Sequence, residues 1–247
     1  MTLRFDILLP MPLTGASALV TGAGRGIGRS VAIALGRQGA AVTLVARTRA
    51  ELESAAEDVR RAGGRALAFA ADLRDPETPP RAVEAAVAAH GRLQILVNNA
   101  GVGSHAPLAE TSDEEWHRIL DTNLTSVFRL TRAALPHLTA GGGHVFMISS
   151  LAGSNPIAGM SAYCASKAAL DHLSACLMLE VRQQGVKVTV IAPGSVDTSF
   201  GDTPKGDTSW MLRGDDIADT IVSLLSMRDE AHASRVEMRP SRPQKRQ

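Results

Sequence analysis

Residues 21–28 read Thr21-Gly22-Ala23-Gly24-Arg25-Gly26-Ile27-Gly28. A short apolar run at 16–20 precedes them with the look of a buried strand. The stretch 26–38 that follows carries apolar residues at helical spacing, Ile27, Val31, Ala34 and Leu35. A strand, a glycine-rich turn and a helix start together make a phosphate cradle. Glycines let backbone N–H groups come close, and the helix N-terminus adds partial positive charge. A glycine run alone is only a flexible turn; its flanks make it a nucleotide signal. Gly22, Gly26, Ile27 and Gly28 are the candidate contacts.

Outward from this loop, strand-like runs alternate with helix-like ones almost to the end of the chain. Further strands are expected at 41–45, 66–70, 93–97, 144–148 and 186–191, with an edge strand at 236–238; 49–62 is amphipathic with helical period. Uninterrupted β-α alternation predicts an α/β fold, a single doubly wound parallel sheet flanked by helices on both faces. Crossovers are then right-handed, and ligands sit beyond the carboxyl ends of the strands. No repeat or linker divides the chain. The reading is an extension over 1–12, one domain over 13–240 and a basic tail over 241–247.

Composition narrows the classes. Apolar residues make up 45% and charged ones 21%, as in globular proteins, and the net charge of +1 gives no reason to expect nucleic acid. The most basic stretch, 239–246, is broken by Pro240 and Pro243 and reads as a solvated tail. No apolar run approaches the roughly 18 residues of a membrane span. Nor does 1–12 look like a signal peptide. Cys164 and Cys176, 12 apart in one predicted helix, are too distant to bridge and read as free thiols in a reducing cytoplasm.

The loop spacing is Gly-x-x-x-Gly-x-Gly, not the Gly-x-Gly-x-x-Gly of the dinucleotide fingerprint. Asn98-Asn99-Ala100-Gly101 follows the fourth strand, and Tyr163-x-x-x-Lys167 comes later. In this order and spacing the motifs resemble the short-chain dehydrogenase/reductase family over about 13–198. Within it, the chain looks most similar to the 3-oxoacyl-(acyl-carrier-protein) reductases. The resemblance implies a Rossmann-like domain that binds a nicotinamide dinucleotide. It implies Asp72 and Leu73 beside the adenine, and Asn99, Ala100 and Gly101 along the adenosine ribose. Pro193 and Gly194 would lead the segment that closes on the nicotinamide, with Val196 and Thr198 on its carboxamide.

The second strand ends Val45-Ala46-Arg47-Thr48. A ribose 2′-OH calls for an acid here, whereas a 2′-phosphate repels an acid and favours arginine. Ala46 stands where NAD-using relatives usually carry aspartate. Arg47 and Thr48 follow, and Arg25 can approach the same corner. The expected cofactor is NADP(H).

Tyr163 and Lys167 lie one helical turn apart on one face. Free tyrosine titrates near 10, too high for efficient acid/base work at neutral pH, and a neighbouring ammonium favours the phenolate. A folded-state value below 10 is therefore expected. Tyr163 is also the only tyrosine in 247 residues. By resemblance Ser150, 13 residues earlier, hydrogen-bonds the substrate oxygen, with Ser149 as its rival, and Lys167 also holds the nicotinamide ribose. Asn123 matches a family asparagine that holds a water linking the lysine to solvent. The histidines are scattered and no Cys/His cluster has ligand spacing, so no metal is expected.

The segment 155–160 and a lid over 199–212 should wall the substrate with Ile157, Met160, Phe200, Trp210 and Met211, which suits a carbonyl or secondary alcohol on an apolar body. Carrier-docking positions near 137–143 and 182–185 hold Arg182 as their one Lys or Arg, which weakens a carrier-protein substrate. A homo-oligomer, dimer or tetramer, is the family expectation, through helices around 114–135 and 163–181. A non-catalytic NADP(H) sensor and an isomerase or dehydratase with retained cofactor stay open as alternatives.

Overall fold

The computed structural model describes residues 13–198, 200 and 207–242. The extension over 1–12, Ser199 and 201–206 of the expected lid, and 243–247 of the tail lie outside the described residues. Seven parallel strands form one sheet in the order β3-β2-β1-β4-β5-β6-β7. They are β1 Ser17–Thr21, β2 Ala41–Ala46, β3 Arg65–Ala70, β4 Ile95–Asn98, β5 Gly143–Ile148, β6 Val186–Pro193 and β7 Arg235–Met238. Every expected strand is present, with ends moved by one or two residues. β7 forms the edge.

Helices cover both faces, which is why the central strands are apolar on both sides. On one face lie α1 (Gly26–Arg37), α2 (Arg49–Arg61) and α7 (Gly214–Leu225), packed on Ala18, Val20, Val42, Leu44, Val97 and Phe146. On the other lie α3 (Thr78–His90), α5 (Ser126–Thr139) and α6 (Ser161–Val181), packed on Leu19, Val45, Leu96, Val145 and Met147. Alternate residues of one strand thus serve opposite cores. The short helix α4 (Asp113–Leu120) runs through a wide turn at Asp121–Thr125 directly into α5.

The chain lays β2 and β3 on one side of β1, then returns to place β4 on the other. That reversal opens a crevice at the carboxyl ends of β1 and β4. Thr21, the last residue of β1, closes the floor. Its hydroxyl accepts from the backbone N–H groups of Asn99 and Ala100, both at 2.9 Å, and the Asn99 amide donates back to the Thr21 carbonyl at 2.9 Å.

At the opposite, amino ends of the strands, His144 of β5 is buried, stacked on Phe146 with centroids 4.0 Å apart and edge-on to His232 at 6.1 Å. Thr189 donates its hydroxyl to the Ala233 carbonyl at 2.7 Å, so at 2.8 Å it can only accept from His144 Nε2. Nε2 therefore carries a proton. Burial first, then coulombic repulsion from His232 and Lys187, hold the His144 pKa down to about 3, so the ring is neutral.

Candidate active site

A cavity of about 920 Å³ lies along the carboxyl ends of the strands. One arm is the glycine loop. Gly22, Gly26 and Gly28 have distinct tasks. Gly22 and Gly26 hold positive φ, 63° and 54°. Gly28 is not at the wall: it sits where α1 meets the strand ends, and a Cβ there would overlap the Gly22 carbonyl and lie 2.6 Å from the Asn99 amide. It is thus a packing glycine, whatever its backbone N–H contributes to the cradle. The N-terminus of α1 has no side-chain cap and no acid in its first turn. Orphan N–H groups facing a cavity suit an anion, so this arm fits the pyrophosphate of a dinucleotide.

Arg25, Arg47 and Thr48 line the far corner of this arm. The corner also holds two residues that the sequence reading passed over. Glu51, in the first turn of α2, packs over Gly24, where a Cβ would stand 3.1 Å from its Oε2. Arg74 donates to both carboxylate oxygens of Asp72, with Nη2 2.6 Å from Oδ2. That pairing, more than the nearby Arg47 charge, holds the Asp72 carboxyl below its usual range. Leu73, Asn99, Ala100 and Gly101 continue the wall, followed by Pro193, Gly194, Val196 and Thr198. The signal for Glu51 was its place one helical turn after Arg47.

The second arm carries Ser149, Ser150, Tyr163 and Lys167. α6 turns the Tyr163 and Lys167 side chains inward because its buried residues, Tyr163, Lys167, Leu170, Ser174 and Leu177, recur every three to four positions. Ser150 caps a single turn, Leu151–Gly153, and its Oγ accepts from Ala152 N at 3.1 Å. Its own proton is left for another partner. Ser149 is buried, and its Oγ has no partner among the described residues.

Two expectations need correction. The Tyr163 phenol does not fall below its ordinary value. Burial pushes it up, and a hydrogen bond from Ser150 only partly opposes this. The lysine does not reverse the shift: Nζ donates to the Ile148 carbonyl at 2.8 Å and lies 5.7 Å from the tyrosine ring centroid. Lys167 is itself lowered by burial to about 8, with the Asp171 carboxylate pulling the other way.

Asn123 is fully buried in the wide turn and stands behind the cavity wall. Its Oδ1 accepts from Val102 N at 2.8 Å, and its Nδ2 donates to the Val102 carbonyl at 2.9 Å and to Ser166 Oγ at 3.0 Å. With its side-chain amide bonded to Val102 and Ser166, it braces the 99–102 loop.

The mouth of this arm is apolar, with Leu151, Ile157, Met160, Phe200, Trp210 and Met211. Phe200 leans on Tyr163 at 5.6 Å between centroids. Arg239 and Pro240 line the cavity too, so the basic segment is not a solvated tail from its first residue. β7 runs beside β6 and delivers them there, Gly194 N donating to the Met238 carbonyl at 2.8 Å.

Known proteins are similar to this chain in sequence and in fold. The chain is 38% identical over 183 residues to the probable oxidoreductase EphD of Mycobacterium tuberculosis, covering 73% of this chain but only 31% of that protein's length. It is 36% identical over 191 residues to the 3-oxoacyl-[acyl-carrier-protein] reductase FabG of Pseudomonas aeruginosa, covering 77% of each. The crystal structure of a metagenomic short-chain oxidoreductase in complex with NADP superposes with a TM-score of 0.84 at 38% identity, over 94% of this chain and all of that one. The family description "short chain dehydrogenase" matches residues 16–207. The match spans most of the sheet and both arms of the cavity, and the chain belongs to the short-chain dehydrogenase/reductase family.

Proposed function

We propose that the protein is an NADP(H)-dependent oxidoreductase that reduces a ketone, or a β-keto acyl group, to a secondary alcohol. The observation that carries this reading is the meeting of Ser150, Tyr163 and Lys167 on one wall of a cavity whose other arm is a glycine cradle. When bound, NADPH supplies the hydride. The cradle at Gly22, Gly26 and Ile27 would hold its pyrophosphate, with Arg25, Arg47 and Thr48 at the adenosine end, and Val196 and Thr198 would hold its carboxamide.

The chain's own residues handle the oxygen and the proton. Ser150, whose Oγ already accepts from Ala152 N, turns its proton toward the substrate carbonyl oxygen and orients it. Tyr163, protonated at neutral pH because burial raises it, gives its phenol proton to that oxygen as the alcohol forms. Lys167, still a cation below about pH 8, favours the phenolate left behind and holds the nicotinamide ribose. The apolar mouth excludes water from the reacting carbonyl. We further propose a homo-oligomer in the cytoplasm: Phe128 of α5 and Leu179 of α6 are exposed large apolar residues on the expected helices, and both cysteines are free thiols.

Direct titration of the purified protein with NADPH and NADH, followed by NADPH oxidation with aliphatic, aryl and β-keto ester ketones, tests the reading. NADPH is expected to bind about a hundredfold more tightly, about 2.7 kcal/mol. Arg47→Asp should erase or invert that preference, because Glu51 would then share the corner with a second acid. Equal affinities in the wild type would overturn the cofactor assignment.

A further inference from the structure

We infer that Asp171 and Arg235 are positioning residues that fasten the turn carrying Ser150 to the helix carrying Tyr163 and Lys167. The inference rests on the functional reading above.

Asp171 lies one turn after Lys167 and two after Tyr163, on the same face of α6. Arg235 opens the edge strand, 64 residues away. Its Nη1 donates to Asp171 Oδ2 at 2.8 Å, and its Nη2 donates to Ser154 Oγ at 3.0 Å and Glu237 Oε1 at 3.3 Å. Ser154 directly follows the turn that Ser150 caps. One guanidinium therefore ties together the catalytic helix, the serine turn and β7. The turn lies flat on the helix: at Gly153 a Cβ would stand 2.8 Å from Asp171 Oδ2 and 3.2 Å from the Lys167 backbone. No such approach is open to a residue with a side chain.

An exposed ion pair contributes about 0–1 kcal/mol and positions little. This pair differs, since the Asp171 side chain is only 13% exposed and its Oδ1 is buried without a partner among the described residues. Without Arg235 a carboxylate would sit unpaired beneath the active site. Electrostatics adds a second link. Lys167 faces the Asp171 carboxylate and the Tyr163 phenol from its own helix, the Ile148 carbonyl from β5 and the neutral Asn123 amide from the wide turn. Asp171 in turn faces Arg235, and through it Glu237, from β7. A carboxylate favours the cation, so removing its charge moves the Lys167 titration to lower pH.

The test compares the full chain with Asp171→Asn, Asp171→Glu, Arg235→Gln and Ser154→Ala. NADPH and the ketone of highest wild-type turnover in the panel serve as probes between pH 6 and 10. Asp171→Asn and Arg235→Gln should lower kcat about tenfold with the NADPH Kd held within about twofold, as expected when geometry and not cofactor binding is lost. Asp171→Asn should also shift the alkaline limb of kcat down by about half a unit, and Asp171→Glu should restore it. Ser154→Ala, which keeps both charges, should lower kcat without moving the limb. Unchanged kcat and limb in Asp171→Asn would overturn the inference, as would kcat and NADPH affinity falling in parallel. If Asp171→Asn does not fold, normal kcat in both Arg235→Gln and Ser154→Ala overturns it. A wild type that reduces no ketone overturns the functional reading instead.

Discussion

Replacing Tyr163 by Phe is expected to lower kcat for ketone reduction about a thousandfold, about 4 kcal/mol in the barrier, while NADPH still binds. The change removes one oxygen from a ring packed between α6 and Phe200, so the fold keeps its contacts. It removes the proton donor, and Ser150 loses its phenol partner. Neither Ser150 nor Lys167 can stand in. A serine hydroxyl is far too weak an acid, and in the proposed mechanism the Lys167 ammonium is occupied by the Ile148 carbonyl and the nicotinamide ribose. Steady-state NADPH oxidation beside NADPH fluorescence titration separates the two effects. Retained turnover in Tyr163→Phe would move the acid role elsewhere, and a wild type that binds NADPH but reduces nothing would favour a sensor. Because Tyr163 is the only tyrosine, loss of the phenolate absorbance band in the variant verifies the substitution.

Acid should unfold the protein largely through His144. The ring is neutral and buried in the fold, with a pKa near 3, whereas in the unfolded chain it titrates near 6.5. Above pH 6.5 neither state binds a proton there, and stability is unaffected. Below it the unfolded state takes up a proton that the fold refuses. Stability falls by about 1.4 kcal/mol per pH unit until pH nears the folded value. Between pH 6.5 and 5 the loss from this residue is about 2 kcal/mol, and by pH 3 it approaches about 5 kcal/mol. His144→Gln keeps a donor for Thr189 and does not titrate. Urea unfolding at pH 8 and pH 5 should show the wild type losing about 2 kcal/mol more than the variant over that interval. Equal losses would place the acid sensitivity on the carboxylates.

Local pattern was enough for the sheet. Every strand but the edge strand β7 is a short, mostly apolar run, and the loop at 21–28 carries its own strand-turn-helix context, so the order of elements follows from one pass along the chain. The ends of strands were less legible: β6 runs on to Pro193 because β7 pairs beside it, a contact that no local window contains. The site was readable where a motif is contiguous, as at Tyr163 and Lys167. It was opaque where chemistry depends on burial or on distant partners. A tyrosine beside a lysine reads as acidified, yet Lys167 turns to Ile148 and burial wins. That the Asn123 side-chain amide braces Val102 and Ser166 was not legible, because those partners lie 21 and 43 residues away. Asp171 and Arg235 each look like surface charges until the fold joins them.

The edge strand also imposes an order on biosynthesis. The cradle, its floor at Thr21 and the strands β1 to β4 are all encoded before residue 100, so the nucleotide arm can assemble while the rest of the chain is still being made. The guanidinium that locks the serine turn against α6 arrives more than a hundred residues later, on the last strand. On the proposed reading, a nascent chain would complete its phosphate cradle early and gain the Arg235 contact that positions the serine turn last, so full turnover would wait until synthesis has passed β7.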